Sequence, residues 1–184
     1  MARQVKSPHN ADVAVLEAAR HNPAEFEKLY RNHVQPIFKY LYSHVGNRHD
    51  AEDLTAQTFL AAFEGLPGYR NNGHFPAWLF SIARNKAADF YRKRGRLAET
   101  ELRDTVPAKI DLPGEIYETS RIETISKIIH SLPEPEQELL RLRFVADLSF
   151  VEIAALQGRK LDAVKKQLYR LLARVQSQME TENE

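Results

Sequence analysis

The hydrophobic residues of the chain recur every three to four positions along most of its length, which is the spacing of amphipathic α-helices. In the N-terminal half, one such run covers residues 13–45, where Pro36 is expected to begin or kink a helix. A second run follows a predicted N-cap at Asp50 and has five residues predicted to face inward: Leu54, Phe59, Leu60, Phe63 and Leu66. No segment alternates apolar and polar residues as a half-buried strand does, so the sequence predicts an all-α fold.

The C-terminal half has the pattern of a helix-turn-helix. Ser149 and Glu152 are spaced as a capping box, which predicts a short helix that begins at Phe150 and stops at Gly158. The longer helix that follows has a largely basic outer face: Lys165, Lys166, Gln167, Tyr169 and Arg170, with Lys160 and Asp162 at its entry. In such a motif the second helix reaches base edges in the major groove, where Lys and Arg suit guanine and Gln can pair with adenine. A solvated face of an ordinary bundle helix has a similar pattern. The capped short helix, the glycine turn and the long basic helix together favour DNA binding.

A second nucleic-acid signature lies at residues 69–96. Its first part is a polar, glycine-containing loop with six candidate contact residues: Tyr69, Arg70, Asn71, Asn72, His74 and Phe75. Its second part is a helix with Trp78 near its start and a basic far end that contains Arg92, Lys93 and Arg94. Exposed aromatic rings stack on unpaired bases at about 1–3 kcal/mol per base, while cations follow the phosphates. The apolar residues of this helix also have core spacing, so one face is expected to pack while the loop and the basic end bind.

The composition excludes several classes of protein. With 184 residues and 43% hydrophobic content, the chain can form one medium domain or two small ones. Cysteine is absent, which excludes a disulfide framework and a thiolate metal site and fits a reducing compartment. No apolar run has the length of a membrane span or of a signal-peptide core, so we expect a cytoplasmic protein. The formal net charge is only +1, so any nucleic acid must be bound by local basic patches.

Charge also divides the chain into modules. Acidic residues outnumber basic ones between residues 97 and 120, a stretch with two prolines, a glycine and little apolar periodicity. We therefore predict a helical domain at residues 11–96, an acidic flexible linker at 97–120 and a second helical domain at 121–178.

The start of the helix near residue 50 is unusually acidic. Asp50, Glu52 and Asp53 lie in its first turns, and Leu54 and Gln57 follow. Carboxylates in a first turn compensate the helix dipole, at about 0.3–1 kcal/mol each, which needs no further function. The same acid-rimmed surface is equally suited to docking a basic protein partner.

Five motifs, in this order, resemble those of bacterial RNA polymerase sigma factors of the extracytoplasmic-function (ECF) type: F-E-K-L-Y, D-A-E-D-L-T-A-Q-T-F, F-P-A-W-L-F-S-I-A-R-N, S-L-P-E-P-E-Q-E-L-L-R-L-R-F and L-S-F-V-E-I-A. The resemblance covers essentially residues 11–176. It implies that the two helical domains are sigma region 2 and sigma region 4, joined by a bare linker because the region-3 domain of larger sigma factors is missing. It also implies a promoter-specificity subunit that directs transcription initiation, performs no catalysis and needs no cofactor or metal.

The resemblance implies a role for each candidate residue. The beta-prime clamp of core RNA polymerase would be bound by Asp50, Glu52, Asp53, Leu54 and Gln57. The melted minus-ten element would be bound by the loop from Tyr69 to Phe75 and by Trp78, Arg84, Asn85, Arg92, Lys93 and Arg94. The minus-thirty-five element would be read as duplex DNA by Lys160, Lys165, Lys166, Gln167, Tyr169 and Arg170. Further expectations are a region-4 contact with the beta flap, an anti-sigma factor as a partner, and a monomer when the protein is free.

The turn of the helix-turn-helix departs from the family pattern. After Gly158 the family usually has an apolar and then a small residue, whereas this chain has Arg159 and Lys160. Leu161 and Asp162 stand where a Val-Gly pair is common. The promoter sequence therefore stays open, as do the individual base contacts.

Two other interpretations explain less of the sequence. A stand-alone helix-turn-helix regulator, with the first domain used for dimerisation or ligand binding, would leave the acidic helix start and the aromatic loop without a purpose. A metal-dependent enzyme would need clustered ligands, but the seven histidines form no H-x-x-x-H or H-E-x-x-H spacing. A phosphate-binding glycine loop and a nucleophile elbow are also absent from the sequence.

Overall fold

Two compact units make up the chain, one from Met1 to Pro107 and the other from Ala108 to Glu184. The computed structural model describes residues 15–20, 22–70, 73–98 and 119–181. All regular secondary structure within these ranges is helical, which confirms the predicted all-α class. Most of the predicted linker lies outside the described residues, so its flexibility stays a prediction.

In its described residues, the first unit contains four helices: α1, described over residues 15–20, α2 (Pro23–Val45), α3 (Arg48–Gly65) and α4 (Phe75–Ala98). A short 3-10 turn, Leu66–Gly68, follows α3. Helices α2, α3 and α4 pack against one another. Their shared core includes the fully buried side chains of Leu29, Ile37, Tyr40, Leu41, Leu79 and Phe80.

The helix ends in this unit follow local capping rules, with one correction. Of the two alternatives predicted for Pro36, a helix start is excluded because Pro36 lies inside α2, where the buried stripe of Leu29, Ile37 and Leu41 continues across it, and a kink stays a prediction. The N-cap of α3 is Asn47 rather than Asp50. The Asn47 side-chain oxygen accepts the Asp50 backbone N–H at 2.9 Å, and its amide donates to the Asp50 carboxylate at 2.6 Å.

The second unit contains α5 (Thr119–Ser131), α6 (Glu134–Leu140), α7 (Phe150–Gln157) and α8 (Leu161–Thr181). A π-helical turn, Arg141–Val145, continues α6. Helix α8 packs against α5, α6 and α7. The core of this unit includes Leu139, Leu142, Ile153, Val164, Leu168 and Leu171. Among the described helices of both units, none is long and apolar enough to cross a membrane.

The helix-turn-helix has the predicted ends. The Ser149 backbone N–H donates to the Glu152 carboxylate at 2.6 Å, and the Glu152 N–H donates to the Ser149 hydroxyl at 3.3 Å, which completes the capping box. Helix α7 stops at Gly158, whose φ of 62° is left-handed and suits glycine. The Arg159 N–H donates to the Ala154 carbonyl at 2.9 Å and closes the turn, so α8 starts in a fixed direction.

Substitution of Ser149 by alanine is expected to destabilise the second unit by about 1 kcal/mol, because the Glu152 N–H loses its acceptor. Trp78 is the only tryptophan of the chain and lies in the first unit, so its fluorescence reports on that unit alone. The urea midpoint should therefore fall by circular dichroism but not by tryptophan fluorescence. Ser177→Ala, at an exposed position of α8, is the matched control. Equal effects of the two substitutions would contradict a specific role for the cap.

Candidate functional site

The acidic surface on α3 is formed by Asp50, Glu52 and Asp53, and these three carboxylates differ in exposure and in how firmly they are paired. The side chain of Asp50 is only 28% exposed and is used within the unit, by Asn47 and by Arg94 at 3.9 Å. Glu52 pairs with Arg48 on the same helix at 2.7 Å. The side chain of Asp53 is 61% exposed, and its pairing with His49 spans 3.8 Å. Asp53 is therefore the carboxylate most available to a partner.

The inward face predicted for α3 is confirmed in part. Leu54, Phe59 and Leu66 are buried, as predicted, so Leu54 supports the acidic surface from behind and its predicted contact with a partner stays a prediction. Leu60 and Phe63 were expected to face inward, but they are 59% and 41% exposed. Their places in the core are taken by Thr55 and Thr58, whose hydroxyls donate to backbone carbonyls of α3 at 2.7 Å. Buried threonines that satisfy themselves in this way leave no signal in a hydrophobic pattern.

The exposed side of α3 therefore combines acid with apolar area. Asp53, Gln57 and Leu60 follow one another at helical spacing, and all three are exposed. Phe63 packs edge-on against Phe26 of α2, with ring centroids 5.2 Å apart. The sequence placed Asp53 and Gln57 on this surface but missed the apolar part beside them.

The rings of the loop are buried, which corrects the expectation that they are exposed for stacking. Tyr69 is 6% exposed and Phe75 is 2% exposed. Both contact Trp78, with centroid distances of 4.7 Å and 5.6 Å, and they lie 5.8 Å from each other. The half-buried Trp78 ring in turn packs over Gly65, where an added Cβ would lie 3.3 Å from it. Because the rings fasten the two ends of the loop to α4, they serve as its anchors.

The polar residues of the loop lie between these anchors. Arg70 is exposed and His74 is half-buried. Gly73 has a φ of 80°, a left-handed backbone that turns the chain back toward α4. Asn71 and Asn72 lie outside the described residues, so their predicted contacts stay predictions. Among the described residues of the loop, Arg70 is therefore the polar side chain with the greatest exposure, while the two rings are buried.

The basic part of α4 divides between two faces. Arg84, Asn85 and Arg92 are exposed and fall on one side of the helix, with Arg84 and Arg92 about 12 Å apart along its axis at 1.5 Å per residue. Arg92 also forms an ion pair with Asp89. Lys93 is exposed beside them.

Arg94 points the other way. Its guanidinium lies 5.8 Å from the centre of the Phe90 ring and 3.9 Å from the Asp50 carboxylate of α3. The sequence grouped Arg94 with the phosphate-binding residues, but the structure places it beside the acidic surface.

The outer face of α8 carries most of the predicted duplex-binding residues. Lys166, Tyr169 and Arg170 are exposed, and Lys165 is half-buried at the edge of the same face. The centre of the Phe150 ring on α7 lies 6.0 Å from the centre of the Tyr169 ring and 5.4 Å from the Arg143 guanidinium. Helix α8 thus presents a basic ridge with a tyrosine at its centre.

The turn before α8 modifies this face. Lys160 is exposed next to the start of α8. Gln167 lies off the centre of the ridge, and its side-chain oxygen accepts a hydrogen bond from Arg159. This bond ties the amide of Gln167 to the turn, so its orientation depends on Arg159.

Two family models match the chain, and each match falls within one compact unit. The model for Sigma-70 region 2 matches residues 29–97, and the model for Sigma-70, region 4 matches residues 122–175. The matched ranges contain the acidic surface, the loop and the basic helix in the first unit, and the helix-turn-helix in the second.

Similar solved structures share this fold. CnrH, solved in complex with the cytosolic domain of CnrY, has a TM-score of 0.68 at 22% identity and covers 93% of this chain and 98% of that one. RpoE from Bartonella quintana, solved with the anti-sigma factor NepR, has a TM-score of 0.66 at 21% identity, with coverages of 85% and 97%.

Curated relatives are similar over most of the chain. The ECF RNA polymerase sigma factor SigE of Mycolicibacterium smegmatis is 35% identical over 163 residues, which are 85% of this chain and 63% of SigE. The chain also matches 61% of the sigma factor BldN of Streptomyces coelicolor, so it spans less than two thirds of both. The RNA polymerase sigma factor YlaC of Bacillus subtilis is 30% identical, over 78% of this chain and 86% of YlaC. The chain belongs to the RNA polymerase sigma factor family, as a member of its extracytoplasmic-function type.

Proposed function

We propose that this protein is an alternative sigma factor, which binds core RNA polymerase and directs transcription initiation at a specific set of promoters. The observation that carries the proposal is the pairing, in one chain, of a sigma region 2 unit with a capped helix-turn-helix that has an exposed basic ridge. We assign sigma region 2 to residues 11–96, the linker to 97–120 and sigma region 4 to 121–178. The protein acts by binding alone, and its place is the cytoplasm, where polymerase and promoters are found.

Polymerase binding is assigned to the exposed side of α3. Asp53 and Gln57 provide charge and hydrogen bonding for the beta-prime clamp, and the exposed Leu60 adds apolar contact area. Glu52 lies beside them as a rim charge that affects association rate more than affinity. Asp50 is assigned a secondary role, because Asn47 and Arg94 already engage it.

Recognition of the melted minus-ten element is assigned to the loop and to the outer side of α4. The polar residues between the two buried rings, Arg70 and His74 with Asn71 and Asn72, take the flipped base. An arginine plane stacks on a base and an amide or imidazole reads its edge, so the rings need not be exposed. The melted strand beyond the flipped base is contacted by four residues on the outer side of α4: Arg84, Asn85, Arg92 and Lys93.

Recognition of the minus-thirty-five element is assigned to α8 as the major-groove helix. Lys165, Lys166 and Arg170 surround Tyr169 on the exposed ridge, with Lys160 at the entry. Each unit alone has a small basic surface, so we expect weak binding of promoter DNA by the free protein. Docked on polymerase, each unit is held near its own element at a high effective concentration.

Regulation by an anti-sigma factor is part of the proposal. It draws on RpoE, a protein with the same fold that was solved with an anti-sigma factor. An anti-sigma factor bound to the exposed side of α3 would block polymerase binding. One bound to the α8 ridge would block recognition of the minus-thirty-five element.

Run-off transcription on genomic fragments of the host, with the host's core polymerase, tests the proposed function. Discrete transcripts that require this protein are the expected result, and their start sites locate both promoter elements. Direct titration of labelled protein with core polymerase is run in parallel. Duplex binding without core binding or transcripts would reject a sigma factor and favour a stand-alone regulator.

A further inference from the structure

Helix α1 is connected to the minus-ten loop by one side chain. Arg20, the last residue of the described part of α1, donates a hydrogen bond from Nη2 to the backbone carbonyl of Tyr69, 49 positions along the chain. Its Nη1 pairs with Glu17 one turn earlier, at 3.1 Å. Arg20 is half-buried, and its Nε is enclosed without a hydrogen-bond partner among the described residues. The guanidinium is therefore packed against the unit and not extended into solvent.

The rest of α1 is anchored independently of this contact. Leu16 is 1% exposed and Ala19 is 5% exposed, so both are buried in the unit. Arg20 is thus held in place by the packing of its own helix, and its loss should not release α1.

The accepting carbonyl lies at the point where the loop leaves the core. The Tyr69 N–H donates to the Leu66 carbonyl at 3.1 Å, and the Tyr69 ring is held by Phe75 and Trp78. The next residue, Arg70, is exposed. A peptide group is planar, so a hydrogen bond that fixes the Tyr69 carbonyl also fixes the N–H and Cα of Arg70.

We infer that Arg20 is a positioning residue for the minus-ten loop. It orients the Tyr69–Arg70 peptide, so that the loop leaves its anchor in one direction before DNA arrives. Ordering the loop in advance removes an entropy cost from base capture. A loop held in one direction also presents its polar groups in a fixed arrangement, so a mismatched base leaves some of them unpaired and binds less well than the correct base. The inference rests on the proposed function of the loop in reading a melted base, and Arg20 itself is not assigned a DNA contact.

Three substitutions separate the contact with the loop from the rest of the Arg20 environment. Arg20→Ala removes both hydrogen bonds, while Glu17→Ala removes only the ion pair within α1 and is the matched control. Arg20→Lys keeps one cationic donor and should restore part of the effect, which keeps the test valid if the alanine variant folds poorly. Trp78 fluorescence monitors the folding of the unit in every variant.

The first readout needs no DNA. Limited digestion with trypsin, followed by mass spectrometry, measures the rate of cleavage after Arg70 in the free protein. We expect Arg20→Ala to raise this rate roughly 10-fold, the factor that corresponds to one charge-assisted hydrogen bond, and Glu17→Ala to leave it unchanged. An unchanged rate in Arg20→Ala would overturn the inference, whatever the transcription results.

The second readout is base discrimination by the holoenzyme. Run-off transcription is compared on promoters in which each minus-ten base is substituted in turn. Arg20→Ala should reduce the preference for the native base at one minus-ten position by a factor similar to that of the trypsin readout, roughly 10-fold. Binding to core polymerase should be unchanged. Full discrimination in Arg20→Ala alongside a loss in His74→Ala would reject the role of Arg20 and leave the loop function intact. Full discrimination in both Arg70→Ala and His74→Ala would instead reject the proposed function of the loop.

Discussion

Substitution of Asp53 by lysine is expected to abolish assembly with core RNA polymerase and leave the protein folded. The Asp53 side chain is 61% exposed and pairs within the described residues only loosely, with His49 at 3.8 Å on the same helix. The substitution therefore removes little from the fold. At an interface the reversed charge meets a partner surface selected for the opposite sign, which costs several kcal/mol. We expect affinity for core polymerase to fall at least about 100-fold, which corresponds to about 3 kcal/mol.

The measurement is a titration of labelled protein with core polymerase, together with run-off transcription at saturating DNA. Glu180→Lys, an exposed reversal of the same charge in the second unit, is the control and should assemble normally. Normal assembly of Asp53→Lys would reject the acidic surface as the docking site. Loss of assembly in Leu60→Asp but not in Asp53→Lys would assign the docking to the apolar part of α3.

The elements that the sequence predicted best are those fixed by local chemistry. The ends of α7 depend on Ser149, Glu152 and Gly158, which lie within ten positions and act through backbone hydrogen bonds inside that segment. A capping box and a left-handed glycine are recognisable without knowing what the helix packs against. The N-cap of α3 was harder, because Asn47 and Asp50 are both good capping residues and the two side chains engage each other.

The features that the sequence predicted wrongly depend on contacts between distant residues. An aromatic ring in a polar loop can stack on a base or anchor the loop, and only the position of Trp78 shows that Tyr69 and Phe75 are anchors. Arg94 at the basic end of α4 could likewise bind a phosphate or a carboxylate, and only the position of Asp50 on α3 shows which partner it has in the free protein. Residue types indicate which interactions a side chain is able to make, but the direction in which the side chain points depends on the fold.

Double substitution of Lys165 and Arg170 by alanine is expected to remove recognition of the upstream promoter element while core polymerase still binds. The inward side of α8 is formed by Val164, Leu168 and Leu171, so neither substitution touches the core, and alanine favours the helix. A specific contact to a base edge contributes about 1–3 kcal/mol of discrimination. Loss of two should therefore reduce the preference for the correct element by roughly 30-fold or more.

The measurement is the ratio of transcripts from a promoter with its native minus-thirty-five element to those from one with that element scrambled. Lys127→Ala with Arg174→Ala removes the same charge from the same unit, away from the centre of the ridge, and should keep the ratio. An unchanged ratio in the Lys165 and Arg170 variant would exclude base contacts by these residues. If its binding weakened equally on both promoters and its salt dependence became shallower, the two cations would be bound to phosphates. Specificity would then have to come from the rest of the ridge, where Lys166 and Tyr169 remain exposed, with Lys160 at its entry.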